Sequence, residues 1–483
     1  QRLLSGLCEF LIPQPGLTAR GHGSTDIDEA TGFHKALPQS KQLGWVMRRA
    51  AEEGRCLTQP RGGFGTLELQ MELMRALDKD GMADIVPTTT DSYTRNEQWA
   101  NAETGIEESK RQGRSMLNGF PMVNYGPKQT RKLIEAINKP AIVLSGTAMP
   151  RLTCEIGFAA GFTGYLGSGI AYTTSYTKDT SIAEGIRNYQ YLDRLAVLYQ
   201  EKGIDLHRRQ PGFLTGTNVP PCIAIAVGVL DALLAAGQGV RNYGLELGQT
   251  LHLIQDAAAI QVCGELAHEY LAAAGFEDMF LPVTSLHWMG AWPQDEAQCA
   301  ALVSYGGTLA AIGGAVSVTT KSTHESYGIP TPNANAEGLR TTRMAIYMAR
   351  HIRLNELPEF QAEADLIRRE TRPIIDRVLE MGDGDAALGA VRALEAGALD
   401  IPWSPNRFVQ SRVMPARDLD GYLRVYDPGE MVFDPDVAEI HTERLMRRAE
   451  AEGVPYDQNL AVTSVYEISE PLDRLFPFPW GPE

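Results

Sequence analysis

The chain has 483 residues, of which 43% are hydrophobic and 22% charged, a balance typical of a globular protein with a sizeable core. Its formal net charge is −16 and its Lys and Arg are scattered, which argues against nucleic acid or anionic membrane as partners. The six cysteines form no Cys-x-x-Cys pair, which favours a reduced, cytoplasmic protein without a zinc site. No apolar run reaches the roughly 18 residues needed to span a bilayer.

Residues 1–40 are rich in Gly, Pro and polar residues, and we interpret them as an N-terminal segment. From residue 41, short apolar and β-branched runs alternate with segments of helical periodicity. After the first such run, for example, Leu69, Leu73, Ala76 and Leu77 form one apolar stripe. The runs predict eight strands, at 55–60, 83–89, 141–145, 169–174, 212–216, 242–247, 280–287 and 315–320. Helices are predicted between them, near 128–138, 181–202, 219–236, 249–274, 294–311 and 335–352.

Strands that alternate with helices pair in parallel through right-handed crossovers. Eight such units in residues 41–360 fit a closed (β/α)8 TIM barrel, and an open doubly wound sheet is the alternative. The pattern then changes, because acidic helices at 361–381 and 436–452 flank an irregular, Pro-rich stretch at 401–435. The sequence therefore predicts an α/β barrel with a C-terminal α+β appendage at 361–483.

Polar side chains follow several of the predicted strands, at the face where barrel enzymes carry their chemistry. Two arginines, two tyrosines and a Lys/Glu pair would meet there, and arginine forks bind carboxylates in a bidentate manner. The pattern favours a small acidic substrate, although each residue alone could be a surface, packing or salt-bridge residue. The nine histidines form no metal-binding motif, so no metal site is expected. The six candidate residues are Arg61, Arg95, Tyr172, Tyr176, Lys321 and Glu325.

Collinear motifs from about residue 55 to past 430 carry a resemblance to a known family. The longest are Gln59-Pro60-Arg61-x-Gly63, Asp91-x-Tyr93-Thr94-Arg95, Gly113-Arg114-Ser115-x-Leu117-Asn118-Gly119-Phe120-Pro121 and Leu214-Thr215-Gly216-Thr217-x-Val219-Pro220-Pro221. Shorter ones are Trp288-Met289-Gly290, Lys321-x-x-His324-Glu325 and Gly328-Ile329-Pro330-Thr331. Through them the chain resembles the E (epsilon) subunit of methylaspartate mutase, also called glutamate mutase.

The resemblance implies a (β/α)8 barrel, in agreement with the strand count, and an isomerase that converts L-glutamate to 3-methylaspartate by radical rearrangement. It also implies adenosylcobalamin as cofactor, shared with a small cobalamin-binding S subunit that carries Asp-x-His-x-x-Gly. This chain has no such motif, so it should need that partner. A homodimer of this chain within a heterotetramer is the implied assembly.

The resemblance assigns roles to individual positions. Arg61 and Arg95 match arginines that grip the substrate carboxylates, and Tyr172 and Tyr176 match substrate contacts. Ser175 and Trp292 stand at cofactor contacts where the family usually has Pro and Phe. The other positions that match contacts to adenosylcobalamin are Gly63, Asn118, Lys321, Glu325 and Ile329.

Four departures fall in the implied pocket. Leu144-Ser145 replaces a third substrate arginine and its following His, and Leu166 replaces the glutamate that meets the substrate ammonium. Arg209 stands where the family has Glu, and Leu286-His287 offsets a usual His. Leaving one member of a buried ion pair unmatched costs roughly 3–5 kcal/mol. We therefore expect a related carboxylic acid as substrate, with an apolar or masked group facing Leu144 and Leu166. Glutamate remains the alternative if Arg151 or Arg209 fills the gap.

Two other functions are open at this point. A cobalamin-free lyase would use Lys321 as a Schiff-base nucleophile, which needs a depressed lysine pKa, whereas Glu325 should keep the amine charged. A non-catalytic paralogue that only binds a partner subunit would explain the lost pocket charges.

Overall fold

Eight parallel strands form the centre of the protein in a computed structural model, which describes residues 26–213 and 218–467. The strands follow one another around the barrel in chain order, and β1 pairs with β8. This confirms the (β/α)8 prediction over the open sheet. The strands are β1 Leu57–Gln59, β2 Val86–Thr89, β3 Ala141–Leu144, β4 Gly164–Leu166, β5 His207–Arg209, β6 Tyr243–Gly248, β7 Val283–Leu286 and β8 Ser317–Thr319.

The joint between β1 and β2 is the exception, since no strand ladder joins them in the described chain. Three backbone bonds close it instead, from Asp84 N and Ile85 N to Thr58 O at 3.0 and 3.2 Å and from Thr89 N to Gly62 O at 2.9 Å. The Asp84 carboxylate adds a further link, because it accepts the backbone N–H of Thr58 at 2.9 Å.

Helices surround the barrel, and polar caps start several of them. Thr66 caps α3 by accepting the N–H of Leu69, and Ser181 caps α9 in the same way. The helices up to the end of the barrel are α1 Ile27–Ala36, α2 Leu43–Glu52, α3 Leu67–Lys79, α4 Ser92–Arg95, α5 Trp99–Gln112, α6 Met122–Glu135, α7 Arg151–Ala160, α8 Gly169–Tyr176, α9 Ile182–Glu201, α10 Pro221–Gly237, α11 Leu253–Ala273, α12 Glu296–Ile312 and α13 Pro332–Ala349. A short 3-10 helix spans Gln39–Lys41.

Two predicted strands were wrong. Residues 169–174 form helix α8, and the fourth strand is Gly164–Leu166. The β-branched and aromatic residues of 169–174 suggested a strand, but they are buried as one helix that begins after a left-handed turn at Gly167 (φ 153°). The fifth strand is the basic His207–Arg209 rather than 212–216. Residues 214–217, with the Leu214–Thr217 part of the motif, lie outside the described residues.

Side chains alternate between the two faces of each short strand, and this decides which ones enter the barrel. On β5, Arg208 turns outward to Asp193 of α9, with 2.7 Å between Nε and Oδ1. Arg209 turns inward and reaches Gln59 on the opposite strand, β1. The barrel interior therefore carries polar groups at its carboxyl end.

The C-terminal region packs on one side of the barrel, and a single buried apolar cluster joins α10 and α11 to α14 and α15. The stretch 401–435, predicted to be irregular, contains an antiparallel strand pair. Dividing the chain at residues 40 and 360 stays a prediction. No helix in the described ranges combines the length and apolar character that crossing a membrane requires. The elements are α14 Pro358–Met381, α15 Ala386–Ala396, β9 Met414–Arg417, β10 Leu423–Asp427, α16 Pro435–Glu452 and α17 Asn459–Tyr466.

Candidate active site

Lys321 and Glu325 form a buried ion pair directly after β8. The Lys321 Nζ lies 2.6 Å from Glu325 Oε2, and the two side chains are 7% and 18% exposed. Burial lowers the pKa of Lys321, with Glu325 opposing the shift and the Arg61 guanidinium adding to it. Burial alone would raise the pKa of Glu325, but the positive charges of Lys321 and Arg61 hold it below its ordinary value.

Arg95 lies at the end of the short helix α4, which the Asp91 carboxylate caps by accepting two backbone N–H bonds at 2.9 and 3.1 Å. Its Nε donates to the carbonyl of Thr90 at 2.9 Å, which holds the guanidinium at the barrel mouth. The Arg95 Cζ is 5.9 Å from the ring centre of Tyr176. Tyr176 in turn meets Tyr172 edge-on, with 5.2 Å between ring centres.

Tyr172 is the common neighbour of these groups. It is only 2% exposed, and burial raises its pKa well above the ordinary value. Tyr176 and Glu246 add to that rise, whereas the positive charges of Arg61 and Arg95 oppose it. The described structure thus brings together the arginines, tyrosines and Lys/Glu pair that the sequence placed at one face. Tyr172 and Tyr176 reach it from helix α8, not from a strand.

The departing positions form a row across three neighbouring strands. Leu144 of β3 is the register partner of Leu166 on β4, and Leu166 is the partner of Arg209 on β5. All three are buried. Ser145 turns away from the interior, because its hydroxyl donates to the Leu166 carbonyl at 3.0 Å and lies 3.2 Å from the Tyr189 hydroxyl. An apolar wall therefore adjoins a buried guanidinium.

Sequence reasoning missed Gln59 and Glu246 as site residues. The Arg209 Nη2 donates to Gln59 Oε1 at 2.9 Å and lies 3.8 Å from Glu246 Oε1. Glu246 also accepts the Thr319 hydroxyl at 2.6 Å. These residues stand at the carboxyl halves of β1 and β6, so a polar residue at an inward strand position was the available signal.

The positions matched to cofactor contacts lie on loops and a helix at this mouth. A Cβ on Gly63 would sit 2.4 Å from the Thr89 carbonyl and 2.7 Å from the Gly119 Cα, so only glycine allows this close backbone approach. The Lys321 Nζ is 5.6 Å from the Trp292 ring centre. Asn118 is exposed, and Ser175 and Ile329 are half-buried. His287 lies outside the barrel interior, since a Cβ on Gly306 of α12 would meet its ring.

Comparison with known proteins places the chain in a family. The profile of the family described as methylaspartate mutase E chain matches residues 37–472. The chain is 44% identical to the glutamate mutase epsilon subunit of Desulfitobacterium hafniense (strain Y51), over 92% of each chain. It is 41% identical to that of Yersinia enterocolitica, over 90% of each, and 42% identical to that of Haloarcula marismortui, over 92% of this chain and 90% of the relative.

A solved structure, the N-acetylneuraminic acid synthetase of Leptospira borgpetersenii serovar Hardjo-bovis, is 14% identical with a TM-score of 0.34, covering 65% of this chain and 91% of that one. A likeness this remote adds nothing to the assignment, which stands on the family match alone. The chain belongs to the family of the methylaspartate mutase E chain, and it is an isomerase of the mutase type.

Proposed function

We propose that the chain is the large subunit of an adenosylcobalamin-dependent carbon-skeleton mutase that acts on a small carboxylic acid related to glutamate. The observation that carries the proposal is a pair of unneutralised guanidiniums around Tyr172. Among the described residues, Arg61 donates only to the Met289 sulfur at 3.3 Å and Arg95 only to the Thr90 carbonyl. Neither forms an ion pair there.

Such guanidiniums suit the carboxylates of a bound substrate. Arginine binds a carboxylate through two parallel N–H bonds, and these charge-assisted bonds are short and strong. Tyr176 lies against Arg95 and meets Tyr172 edge-on, and both arginines are half-buried, which strengthens their attraction to an anion. The chain's own contribution is to grip, orient and enclose the acid.

The residues at the mouth fit adenosylcobalamin. The Lys321–Glu325 pair offers one charged donor and one charged acceptor for the adenosyl ribose hydroxyls. Gly63 keeps the first loop close to Gly119, and the exposed Asn118 side chain lies on the same side. When bound, adenosylcobalamin would supply radical chemistry, and these residues would hold it at the mouth.

The relatives are named epsilon subunits, which supports a partner chain. We propose a small subunit that carries the main cobalamin site, in a cytoplasmic heterotetramer built on a homodimer of this chain. The relatives' name also makes L-glutamate a substrate to be tested. The apolar row of Leu144 and Leu166 favours a related acid instead.

The test is reconstitution with a small cobalamin-binding subunit, followed by a screen of dicarboxylic and amino acids. We expect at least one acid to change the visible spectrum of the bound cofactor and to be isomerised. Lys321→Met should lose this response, whereas Arg392→Gln, at an exposed site on α15, should keep it. If no acid changes the cofactor spectrum of the complex, the result would instead favour a non-catalytic paralogue that only binds a partner subunit. A borohydride-trapped adduct on Lys321 would favour the lyase.

A further inference from the structure

We propose that Arg209 is a third anion-binding residue of this site, and that the substrate is a dicarboxylate without a free ammonium group. The inference names the substrate class and rests on the proposed function.

Arg209 is buried without enough partners. Its side chain is 0% exposed, yet only Nη2 makes a hydrogen bond, to Gln59 Oε1 at 2.9 Å. The Nε and Nη1 atoms have no hydrogen-bond partner in the described structure, and the Glu246 carboxylate is 3.8 Å from Nη2. Buried guanidinium N–H groups are normally satisfied, because an unmade bond there is costly. Two open donors on one cation are the arrangement that a carboxylate would complete.

The position of Arg209 places these donors at the proposed site. It follows Leu144 and Leu166 in the same interior row, and Tyr172 is among the groups that act electrostatically on it. Tyr172 is also a neighbour of Arg61 and Arg95. Three guanidiniums from three parts of the barrel are therefore near one phenol.

The charges at this mouth do not balance. In their ordinary charged forms, four cationic side chains face the two interior carboxylates, Glu246 and Glu325, and a third carboxylate, Asp91, caps the helix that carries Arg95. The positive charge in excess favours a substrate that carries carboxylates. The four cations are Arg61, Arg95, Arg209 and Lys321.

An ammonium group would have to compete with Arg209 and Lys321 for the two interior carboxylates among the described residues. The Glu246 carboxylate already accepts the Thr319 hydroxyl at 2.6 Å and the Gly212 N–H at 3.1 Å, and it faces Arg209. Glu325 is engaged by Lys321. The remaining wall is the apolar pair of Leu144 and Leu166, and a desolvated cation without a counter-charge binds poorly. The site thus favours a dicarboxylate whose other substituents are hydrogen or apolar groups.

Direct binding to the full-length chain tests this without the cofactor. Calorimetry at pH 7.5 compares succinate and glutarate with L-aspartate and L-glutamate, which differ from them by the ammonium alone. We expect the better dicarboxylate to bind at least about tenfold more tightly than its amino counterpart. Arg209→Gln should weaken dicarboxylate binding about 10- to 100-fold, the loss of one to two charge-assisted bonds.

Arg208→Gln is the matched control, because it removes the next arginine along β5. That residue faces outward and holds Asp193 at 2.7 Å, so its loss should lower the melting temperature and leave the preference for dicarboxylates unchanged. The inference is overturned if neither dicarboxylate binds, if the amino acids bind more tightly, or if Arg209→Gln binds as the wild type does. The two proposals can fail separately. If no acid changes the cofactor spectrum of the reconstituted complex, but the chain still binds dicarboxylates more tightly than amino acids, the mutase proposal is refuted and the assignment of Arg209 stands.

Discussion

Two fully buried arginines, Arg209 in the barrel and Arg424 in the C-terminal region, differ in how completely they are partnered. Arg424 donates from Nη1 and Nη2 to the two oxygens of Glu363 at 2.9 and 2.8 Å, and from Nε to Asp418 at 3.1 Å. Arg209 donates to one acceptor, the Gln59 amide oxygen, and its Nε and Nη1 donors have no hydrogen-bond partner in the described structure. Burial alone would lower the pKa of Arg424, but its carboxylates raise it, whereas burial lowers the pKa of Arg209.

Under the proposal above, the difference separates a structural charge from one that binds substrate. The Arg424 cluster links α14 to the β9–β10 pair and is complete within the chain. The Arg209 cluster is incomplete within the described chain, and buried donors without a partner are one sign of a site that a ligand completes.

The largest effect should come from Arg424→Gln, which leaves Glu363 buried without its counter-charge and Asp418 with only the more distant Arg444, at 3.7 Å. We expect it to lower the free energy of unfolding by about 3–5 kcal/mol, measured by urea denaturation. Arg209→Gln is the control and should cost less than about 1 kcal/mol, since it removes a poorly satisfied cation. Equal losses in the two variants would contradict the distinction.

Arg61→Gln should weaken dicarboxylate binding by about 2–3 kcal/mol, the value of charge-assisted bonds to one carboxylate. Its only hydrogen bond in the described chain is to the Met289 sulfur, so its stability should change little. Calorimetry and thermal unfolding of the same sample separate the two quantities. A variant that keeps full affinity would remove Arg61 from the site.

Glu370, beside the Arg424 cluster, should make stability depend on pH. Burial raises its pKa to about 8 from an ordinary 4.5, with Glu363 adding to the rise and Arg424 opposing it. His441, 3.4 Å away, stays neutral because burial lowers its pKa to about 3. The folded state therefore holds a proton that the unfolded state releases, so this stability is complete below pH 4.5 and is lost as pH rises through 8.

Glu370→Gln mimics the protonated form and should remove that loss. We expect the variant to be several kcal/mol more stable than the wild type at pH 8.5 and nearly equal to it at pH 4.5, by urea denaturation at both values. The substitution leaves the Cys222 thiol, which also lies near this carboxyl, unchanged. A gain that is the same at both pH values would show that Glu370 is not protonated in the native state.

The smallest effect should come from Leu166→Glu, which places a carboxylate beside Arg209 in the interior row. It supplies an ammonium partner and removes one excess positive charge. We expect the preference to shift toward L-glutamate by about tenfold, or about 1.4 kcal/mol, in the calorimetric comparison. Leu166→Gln, which adds a polar group without charge, should shift it much less. An unchanged preference would indicate that Leu166 does not face the substrate.

The barrel could be predicted because six strands are apolar runs between helical segments. The other two could not, since Gly164–Leu166 is short and contains glycine, and His207–Arg209 is basic. Arg61, Arg95 and Lys321 could be placed at one face because each follows a strand. The unpartnered donors of Arg209 could not be predicted from the sequence, because they depend on which residue of a three-residue strand points into the barrel.

The weakly joined seam of the barrel has a consequence for how the protein fits its ligand. Arg61 follows β1 and Arg95 follows β2. The two guanidiniums therefore lie on either side of the β1–β2 joint, which individual hydrogen bonds hold together instead of a strand ladder in the described chain. A small parting there would change the gap between the two guanidiniums while the other seven strand pairings stay intact. If the two arginines grip the acid as we propose, the joint without a ladder sets the length of acid that the mouth accepts.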